Sequence, residues 1–401
     1  MHQLILKPGK ERSLARRHPW IYATAIARVI GTPDAGDLVE VHAADGRWLA
    51  WAAYAPASAI RARCWSFDES DRIDRDWLAA RVRDAVARRA RLAEHTSAMR
   101  LVYGEADLLP GLIVDRYDRQ LVVQMQAPGV QAQREVLLDA LCEATGCGDI
   151  YDRSDGALRT REAMVAQSGV LRGHEPADRI QVQEHGLAYW VDVRRGHKTG
   201  FYIDQRGNRR IAGELARELV ATLSRAPRAL NAFCYTGAFS VALARGGAQH
   251  VLSIDSSADA LALARANVEL NALDPESFQW QCADVFDHLR ACRGAGERFE
   301  LIVLDPPKFA ASHHHVDRAA RAYKDINLSA LRLLQPGGAL MTFSCSGAID
   351  VDLFQKIVAG AVIDAGIDCV MRTRLGPGVD HPMLMTHPEG EYLKGLLLQR
   401  V

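Results

Sequence analysis

The spacing of apolar and polar positions changes near residue 181, and this change divides the chain. Before it, alternating runs such as "GDLVEVHAADGRWLAWAAY" predict short β-strands separated by turns. After an opening hairpin, apolar strand runs alternate with helical runs to the C-terminus, as in "HVLSID" followed by "ADALALARANVELNAL". This alternation predicts a mainly parallel, doubly wound α/β sheet, which binds ligands at the carboxyl ends of its strands.

The residues before the change are predicted to form two smaller domains. The first consists of short strands and turns, and the second begins with the helical run "DRDWLAARVRDAVARRARLAEH", which leads into a small α+β module. The polar stretch "SGVLRGHEPADR" is typical of a domain boundary. We therefore predict three domains, at residues 1–73, 74–180 and 181–401.

Composition limits the classes of protein and of partner. With 49 basic and 49 acidic residues the net charge is zero, so any contact with nucleic acid must come from local basic patches. The eight cysteines contain no CxxC pair, which argues against a zinc ribbon or a disulfide framework. Neither a signal peptide nor an apolar run of membrane-spanning length is evident. These features predict a cytoplasmic protein with no metal site and no membrane partner.

The segment "LNAFCYTGAFSVALA" predicts a strand, a tight turn and a helix, where a cofactor would bind. Gly237 is the only glycine of this segment, which is a poor match to GxGxxG and argues against a dinucleotide. Asp255 ends the next strand and suits ribose hydroxyls, and Asp284 follows the third strand, where it can contact an adenine edge. Each feature alone is also typical of a loop cap. Together, at this spacing, they predict an S-adenosylmethionine site.

Two further strand ends carry the candidate chemistry. Asp305 stands before two prolines in "LIVLDPPKF", and Cys345 ends the next strand in "TFSCSG". Adjacent strands lie about 4.8 Å apart, so we expect Cys345 beside Asp305. A thiolate that adds to C6 of a pyrimidine makes C5 nucleophilic enough to accept a methyl group, while Asp305 would bind N3. The helix beginning near Asp350 would favour the thiolate through its dipole.

At this point the chain resembles a known family. The motifs "NAFCYTGAFS", "DPPKF", "TFSCSG", "GHKTGFYIDQR" and "SLARRHPWIYATAI" together resemble the large-subunit ribosomal RNA cytosine-5 methyltransferases of the RlmI type, over essentially the whole chain. The resemblance implies an N-terminal PUA domain that binds RNA, a small central α+β domain and a C-terminal Rossmann-like class I methyltransferase sheet. It also implies S-adenosylmethionine as cofactor and a cytosine of 23S rRNA, free or in an assembling large subunit, as substrate.

The resemblance also implies roles for individual residues. Cys345 would be the nucleophile and Asp305 the acid that binds the base. Residues at the strand ends would line the cofactor site, namely Phe233, Tyr235, Thr236, Gly237, Asp255, Ser256, Asp284, Val285 and Gln205. RNA contacts are expected at basic positions, namely Lys7, Arg12, Arg16, Arg17 and Lys308. Lys308 stands where many RNA cytosine-5 methyltransferases carry a second cysteine, so the group that helps product release is left open, as is the base that removes the C5 proton.

Two other interpretations stay open. The first is methylation of a purine nitrogen in rRNA, which needs no cysteine. An Asp-Pro-Pro-aromatic motif commonly serves that chemistry. Here Lys308 separates the second proline from the aromatic residue, Phe309. The second is a non-catalytic RNA-binding protein with a relic fold. The intact Asp255, Asp284, Asp305 and Cys345 argue against this second interpretation.

Three adjacent histidines and three further cysteines carry no predicted chemistry. Three adjacent histidines, His313–His315, cannot all face one ion on a regular element, so a loop over the cleft is predicted there rather than a metal site. Cys234, Cys282 and Cys369 lie in apolar strand settings and are predicted to be core residues. The oligomeric state is left open, a homodimer included.

Overall fold

The structure is a computed structural model, and it describes residues 2–154, 156–164, 168–309 and 315–401. The chain divides into two compact units. The N-terminal unit contains residues 1–183, 191–203 and 379–390, and the C-terminal unit contains residues 184–190, 204–378 and 391–401. The predicted domain boundaries at residues 73 and 180 stay predictions, but the sequence did not indicate that two later segments belong to the N-terminal unit.

The first sheet of the N-terminal unit has six strands, and the strand at Leu38–His42 alternates in side-chain burial as the sequence predicts. They are β1 (His2–Leu6), β2 (Trp20–Tyr22), β3 (Ile26–Ile30), β4 (Leu38–His42), β5 (Trp48–Tyr54) and β6 (Ile60–Ser66), in the order β2-β6-β5-β4-β1-β3. Only β1 and β4 pair in parallel. A short helix, α1 (Arg12–Ala15), follows β1 and packs Leu14 into the core of this sheet.

The second sheet of the N-terminal unit is covered by helices. Its strands are β7 (Ala98–Tyr103), β8 (Leu112–Tyr117), β9 (Gln120–Met125), β10 (Asp149–Asp152) and β11 (Gly169–Arg172), in the order β11-β10-β9-β8-β7. Its helices are α2 (Arg75–Ala87), α3 (Pro128–Ala132), α4 (Arg134–Thr145) and α5 (Gly156–Arg161). The opening hairpin is present as β12 (Ile180–Glu184) and β13 (Leu187–Val191).

The C-terminal unit contains a seven-stranded sheet between helices. Its strands are β14 (Arg228–Ala232), β15 (Gln249–Asp255), β16 (Phe278–Cys282), β17 (Phe299–Leu304), β18 (Leu334–Ser344), β19 (Cys369–Leu375) and β20 (Lys394–Arg400), in the order β16-β15-β14-β17-β18-β20-β19. Its helices are α6 (Arg206–Leu223), α7 (Ala238–Arg245), α8 (Ala258–Leu270), α9 (Val285–Gly294), α10 (Val316–Leu333) and α11 (Val351–Ala365).

Six strands of this sheet point in the same direction, and the last strand, β20, is inserted antiparallel between β18 and β19. Every residue of the central strand β17 is buried, as expected for a strand covered on both faces. The predicted fold class, a β-rich N-terminal domain followed by α+β and doubly wound α/β parts, is confirmed. No helix in the described part of the chain is long and apolar enough to cross a membrane.

The three cysteines predicted to be core residues differ in burial. Cys234 is buried and Cys369 is half-buried, but Cys282 is exposed, so the prediction for Cys282 is wrong. The reason is topological, because β16 is the edge strand of the sheet and Cys282 is its last residue. An apolar run does not reveal which strand of a sheet lies at its edge.

Candidate functional site

A crevice is expected where the strand order reverses, which is between β14 and β17. There the amide of Asp305 approaches the carbonyl of Ala232 at 3.4 Å, so the loops that follow these two strands start side by side. These loops lie where the carboxyl ends of the parallel strands meet, which we call the carboxyl edge of the sheet, and we name them by the strands that they follow. The β14–β16 loops are residues 233–237, 255–257 and 282–285, and the β17–β18 loops are residues 305–309 and 345–350.

The loop after β14 makes a tight turn through left-handed backbone conformations. Phe233, Tyr235 and Gly237 have φ angles of 60°, 47° and 72°. A Cβ at Gly237 would lie 2.8 Å from the Cβ of Ala264 and 3.1 Å from the Cη2 of Trp280, so only glycine fits there. Left-handed residues other than glycine are strained, and such strain is concentrated at functional sites. The helix α7 begins directly after this turn.

Asp255 connects the β14–β16 loops through its carboxylate. Its Oδ2 accepts a hydrogen bond of 2.8 Å from the amide of Tyr235, and its Oδ1 accepts one of 2.9 Å from the amide of Ser257. The side chain is half-buried at the end of β15. Since each carboxylate oxygen can accept more than one hydrogen bond, both keep capacity for a further donor. This arrangement fits a ligand with vicinal hydroxyls, such as a ribose.

Asp284 has a structural function in the loop after β16. It is the N-cap of α9, and its Oδ1 accepts a hydrogen bond of 3.0 Å from the amide of Asp287. Asp284 is exposed and the next residue, Val285, is buried. Ser256 is exposed, and its carbonyl oxygen lies 3.5 Å from the Sγ of Cys282. The loop cap that the sequence allowed for Asp284 is therefore present. Because the carboxylate is exposed, it can also contact a ligand.

Two other predicted cofactor residues are buried. The Oγ1 of Thr236 and the Nε2 of Gln205 are buried without a hydrogen-bond partner among the described residues. A buried polar atom without a protein partner fits a site that a polar ligand completes. The Oε1 of Gln205 accepts a hydrogen bond of 2.5 Å from Asn208 near the start of α6. No contact recorded among the described residues joins Gln205 to the β14–β16 loops, and its cofactor contact stays a prediction.

The β17–β18 loops bring Asp305 and Cys345 to adjacent strand ends. β17 and β18 pair in parallel, as the sequence predicted for these two strands. The Sγ of Cys345 lies 3.9 Å from the carbonyl oxygen of Pro306, in the segment that begins with Asp305. Both Cys345 and Asp305 are half-buried, whereas Lys308 is exposed. A thiol and a carboxylate thus stand at neighbouring positions on one edge of the sheet.

Two buried polar side chains near Cys345 were missed by sequence reasoning. Tyr323 of α10 is fully buried, its hydroxyl lies 2.9 Å from the Oγ of Ser346, and burial raises its pKa. Lys394 is the first residue of β20, and its Nζ donates hydrogen bonds of 2.8 Å and 2.6 Å to the carbonyls of Ser346 and Ile349. In the sequence, the sign of such a residue is a polar side chain inside an apolar run, as Lys394 is in "YLKGLLLQRV".

An aromatic cluster borders the same edge. The ring of Phe309 lies 4.8 Å from Tyr323, 5.9 Å from Phe286 and 6.4 Å from Phe233, measured between centroids. Phe286 follows Val285 directly and was not singled out by the sequence. Aromatic faces and edges at such spacing suit the packing of a flat ring system.

The predicted RNA-contacting residues are all exposed. Lys7, Arg12, Arg16 and Arg17 belong to the N-terminal unit, where Arg12 and Arg16 line a cavity of about 720 Å³. Lys308 belongs to the C-terminal unit and is also exposed.

The predicted loop at His313–His315 lies mostly outside the described residues, which resume at His315 just before α10. Among the residues that are described, no cluster of His, Cys, Asp and Glu side chains could hold a metal ion.

Comparison with known proteins supplies the family. A model of the PUA-like domain matches residues 4–67, and a model of the S-adenosylmethionine-dependent methyltransferases matches residues 106–364. The ribosomal RNA large subunit methyltransferase I of Tolumonas auensis is 44% identical over 399 residues, covering 99% of this chain and 98% of the relative. The protein of the same name from Aeromonas salmonicida is 45% identical over 398 residues, with coverages of 99% and 98%.

Solved structures show the same fold. A Streptococcus mutans protein assigned as a SAM-dependent methyltransferase matches with a TM-score of 0.84 at 21% identity, covering 100% of both chains. Another chain assigned as a methyltransferase, complexed with SAH, matches with a TM-score of 0.85 at 21% identity, again over 100% of both chains. At this identity the likeness extends to the fold alone.

Proposed function

We propose that this chain, which belongs to the ribosomal RNA large subunit methyltransferase I family of S-adenosylmethionine-dependent methyltransferases, methylates C5 of a cytosine in 23S rRNA. The observation that carries the proposal is the position of the Cys345 thiol, which lies 3.9 Å from the carbonyl of Pro306 at the end of the strand beside Asp305. Methylation of a nitrogen has no need of a thiol at this position, whereas methylation of C5 requires a nucleophile.

The β14–β16 loops would hold the cofactor. S-adenosylmethionine supplies an electrophilic methyl group when it is bound. Asp255, fixed by the amides of Tyr235 and Ser257, would accept hydrogen bonds from the ribose hydroxyls. Gly237 keeps the turn free of a Cβ where the backbone packs closely. The other residues assigned to this site are Phe233, Thr236, Ser256, Asp284, Val285 and Gln205.

The β17–β18 loops would carry out the chemistry on the base. The Cys345 thiolate forms a bond to C6, and the electron pair of the C5–C6 double bond moves into the ring, which makes C5 nucleophilic. Asp305, in its carboxylic acid form, would donate a hydrogen bond to N3 and pass its proton to N3 as the electron pair arrives there, and its carboxylate would take that proton back when the thiolate leaves. After C5 has taken the methyl group, a base removes the C5 proton. The freed electron pair restores the C5–C6 double bond and expels the thiolate of Cys345.

Exposed basic residues would bind the RNA backbone. A chain with no net charge must concentrate its phosphate contacts, and we assign them to Lys7, Arg12, Arg16, Arg17 and Lys308. The target cytosine must leave any helix before its C6 can meet a thiol at a strand end. A loop or an exposed single strand of 23S rRNA is therefore the expected substrate.

The test is nucleoside mass spectrometry of 23S rRNA after incubation with S-adenosylmethionine. Wild type is expected to form 5-methylcytidine, and Cys345→Ala is expected to lose more than about three orders of magnitude in rate. The matched control is Cys369→Ala, because Cys369 is a half-buried thiol that starts β19 at the opposite edge of the same sheet. This control should retain the wild-type rate.

An RNA that contains 5-fluorocytidine makes the test specific for the covalent step. Fluorine at C5 leaves no proton to remove, so the bond between Sγ and C6 should persist under denaturing conditions with wild type and be absent with Cys345→Ala. If both proteins form the same methylated purine and neither is trapped, nitrogen methylation replaces the proposal. If wild type methylates neither free rRNA nor intact subunits, the non-catalytic RNA-binding interpretation replaces it.

A further inference from the structure

The loop that carries Cys345 is built around a buried cation. Lys394 is 4% exposed, and its Nζ donates hydrogen bonds of 2.8 Å to the carbonyl of Ser346 and 2.6 Å to the carbonyl of Ile349. In the antiparallel pairing of β20 with β18, Lys394 stands opposite Ser344, the residue before Cys345. The ammonium therefore lies inside the turn by which the chain passes from β18 to α11.

No carboxylate of the described residues is a direct partner of this cation. Among the described residues, no Asp or Glu oxygen lies within 4.0 Å of the Nζ of Lys394. Charged or titratable groups on neighbouring elements act on Lys394 at longer range, with Glu391 first, followed by Cys345, Asp350 and Lys308. Tyr323 contacts the same loop through Ser346, and Asp305 follows the strand paired with β18. A buried ammonium that is held by carbonyl dipoles alone is costly, because the lost hydration of the charge is only partly replaced.

A neutral side chain already secures the same loop from another direction. The hydroxyl of Tyr323 lies 2.9 Å from the Oγ of Ser346, so a buried hydrogen bond alone can anchor this segment. The feature that Lys394 adds is its positive charge. The carbonyl of Ser346, which accepts from the ammonium, directly follows Cys345 in the chain, and the charge of the Cys345 thiolate interacts with that of Lys394.

We propose that Lys394 is a positioning residue whose ammonium holds the Cys345 loop and stabilises the Cys345 thiolate. The inference rests on the proposed function, in which Cys345 is the nucleophile. The thiolate is the reactive form of a cysteine, and a cation nearby shifts the thiol equilibrium toward it. On ionisation the thiol proton leaves to solvent, and the thiolate then adds a negative charge to those of Glu391 and Asp350, which act on the buried ammonium from a distance. Burial lowers the pKa of Lys394, and the charge of Cys345 acts in the opposite direction on it.

The experiment measures how readily Cys345 ionises, apart from catalysis. Alkylation by iodoacetamide is followed across pH by mass spectrometry of the peptide that contains Cys345, in wild type, Lys394→Met, Lys394→Gln and Lys394→Arg. The matched control is Lys356→Met, since Lys356 is an exposed lysine of α11 that pairs with Asp352 at 2.6 Å. The exposed thiol of Cys282 provides an internal reference in every sample.

The expected result is a rise of about one pH unit or more in the midpoint of Cys345 alkylation for Lys394→Met and Lys394→Gln. Lys394→Arg and Lys356→Met should keep the wild-type midpoint, and Cys282 should not change in any variant. Gln keeps two N–H donors but carries no charge, so it separates the charge from the capacity to donate hydrogen bonds. The pH–rate profile of methylation should move to alkaline pH in the same two neutral variants.

An unchanged Cys345 midpoint in either neutral variant, with S-adenosylmethionine binding intact, would overturn the inference. Two neutral variants are used because one that fails to fold, judged by lost cooperative unfolding, leaves the other to decide. Failure of the proposed function would appear differently, as methylation by Cys345→Ala. The alkylation midpoint does not depend on that activity, so the two failures can be told apart.

Discussion

The β14–β16 loops and the β17–β18 loops lie at the same edge of one sheet but are held by different means. In the first group, backbone amides hold the Asp255 carboxylate and left-handed residues make the turn at Gly237. In the second group, buried side chains from elements distant in the sequence, Tyr323 and Lys394, hold the segment after Cys345. The first group of loops is therefore held mainly by backbone groups of the loops themselves, and the second by side chains that only the tertiary fold brings close.

The difference matches what each group would have to do. The same cofactor binds in every turnover, so a loop whose backbone is already in the binding conformation can hold it. A nucleophile must be held in position and also kept in its reactive charge state, and a backbone turn alone cannot supply a full charge. Changes in the β14–β16 loops should therefore alter cofactor affinity, and changes in the β17–β18 loops should alter the rate at saturating cofactor.

Asp305→Asn is expected to reduce the single-turnover rate of methylation about 10²- to 10³-fold, because an amide can donate a hydrogen bond to N3 but cannot transfer a proton to it. The Kd for S-adenosylmethionine, measured by calorimetry, should stay within about threefold of wild type, a difference of less than about 1 kcal/mol. Asp317→Asn is the control, since Asp317 is exposed in the first turn of α10. If the rate fell only in proportion to weaker cofactor binding, the assignment of cofactor binding to the β14–β16 loops and of chemistry to the β17–β18 loops would be contradicted.

Asp255→Asn is expected to weaken S-adenosylmethionine binding about 10- to 100-fold, since charge-assisted hydrogen bonds are worth roughly 1.5–3 kcal/mol. Asp284→Asn should weaken it only about two- to fivefold, because Asp284 is exposed and Asn is also a good N-cap. Calorimetric titration of both variants gives the comparison. Equal losses would show that the carboxylate held by two amides has no special part in binding.

Gly237→Ala is expected to lower the free energy of unfolding by about 1–3 kcal/mol, because its φ of 72° and the 2.8 Å approach to Ala264 both oppose a Cβ. Gly294→Ala is the control, since nothing lies within 4 Å of a Cβ at that position. Urea unfolding followed by circular dichroism measures both. A neutral Gly237→Ala would mean that the turn can relax, and the β14–β16 loops would then be less rigid than their hydrogen bonds suggest.

The smallest expected effect is the pH dependence of stability that arises from Lys394. Burial lowers the folded-state pKa of this lysine below its usual 10.5, so between the two values the unfolded chain binds more protons than the folded one. Stability should therefore rise with pH as the folded lysine releases its proton below 10.5. In Lys394→Met this rise should be missing, as measured by urea unfolding across alkaline pH. An identical slope in both proteins would show that the lysine is well solvated.

The sequence predicted the β14–β16 loops in more detail than the β17–β18 loops. The spacing of Gly237 and Asp255 indicated a turn and an acid at consecutive strand ends, because parallel strands present their ends at one edge. The pairing of the strands before Asp305 and Cys345 was also predicted correctly. The exposure of Cys282 was not predicted, because an apolar pattern does not distinguish an edge strand from a central one.

By itself, the sequence determined the elements, their order and the polar residues at the strand ends, because these depend on local periodicity and on residue type at each turn. The tertiary structure alone decided what surrounds Cys345. Lys394 follows it by 49 residues, and its ammonium reaches the Cys345 loop only because β20 is inserted antiparallel beside β18. The insertion of β20 is a property of the whole sheet, set by how all its apolar faces pack together, and no local pattern encodes it.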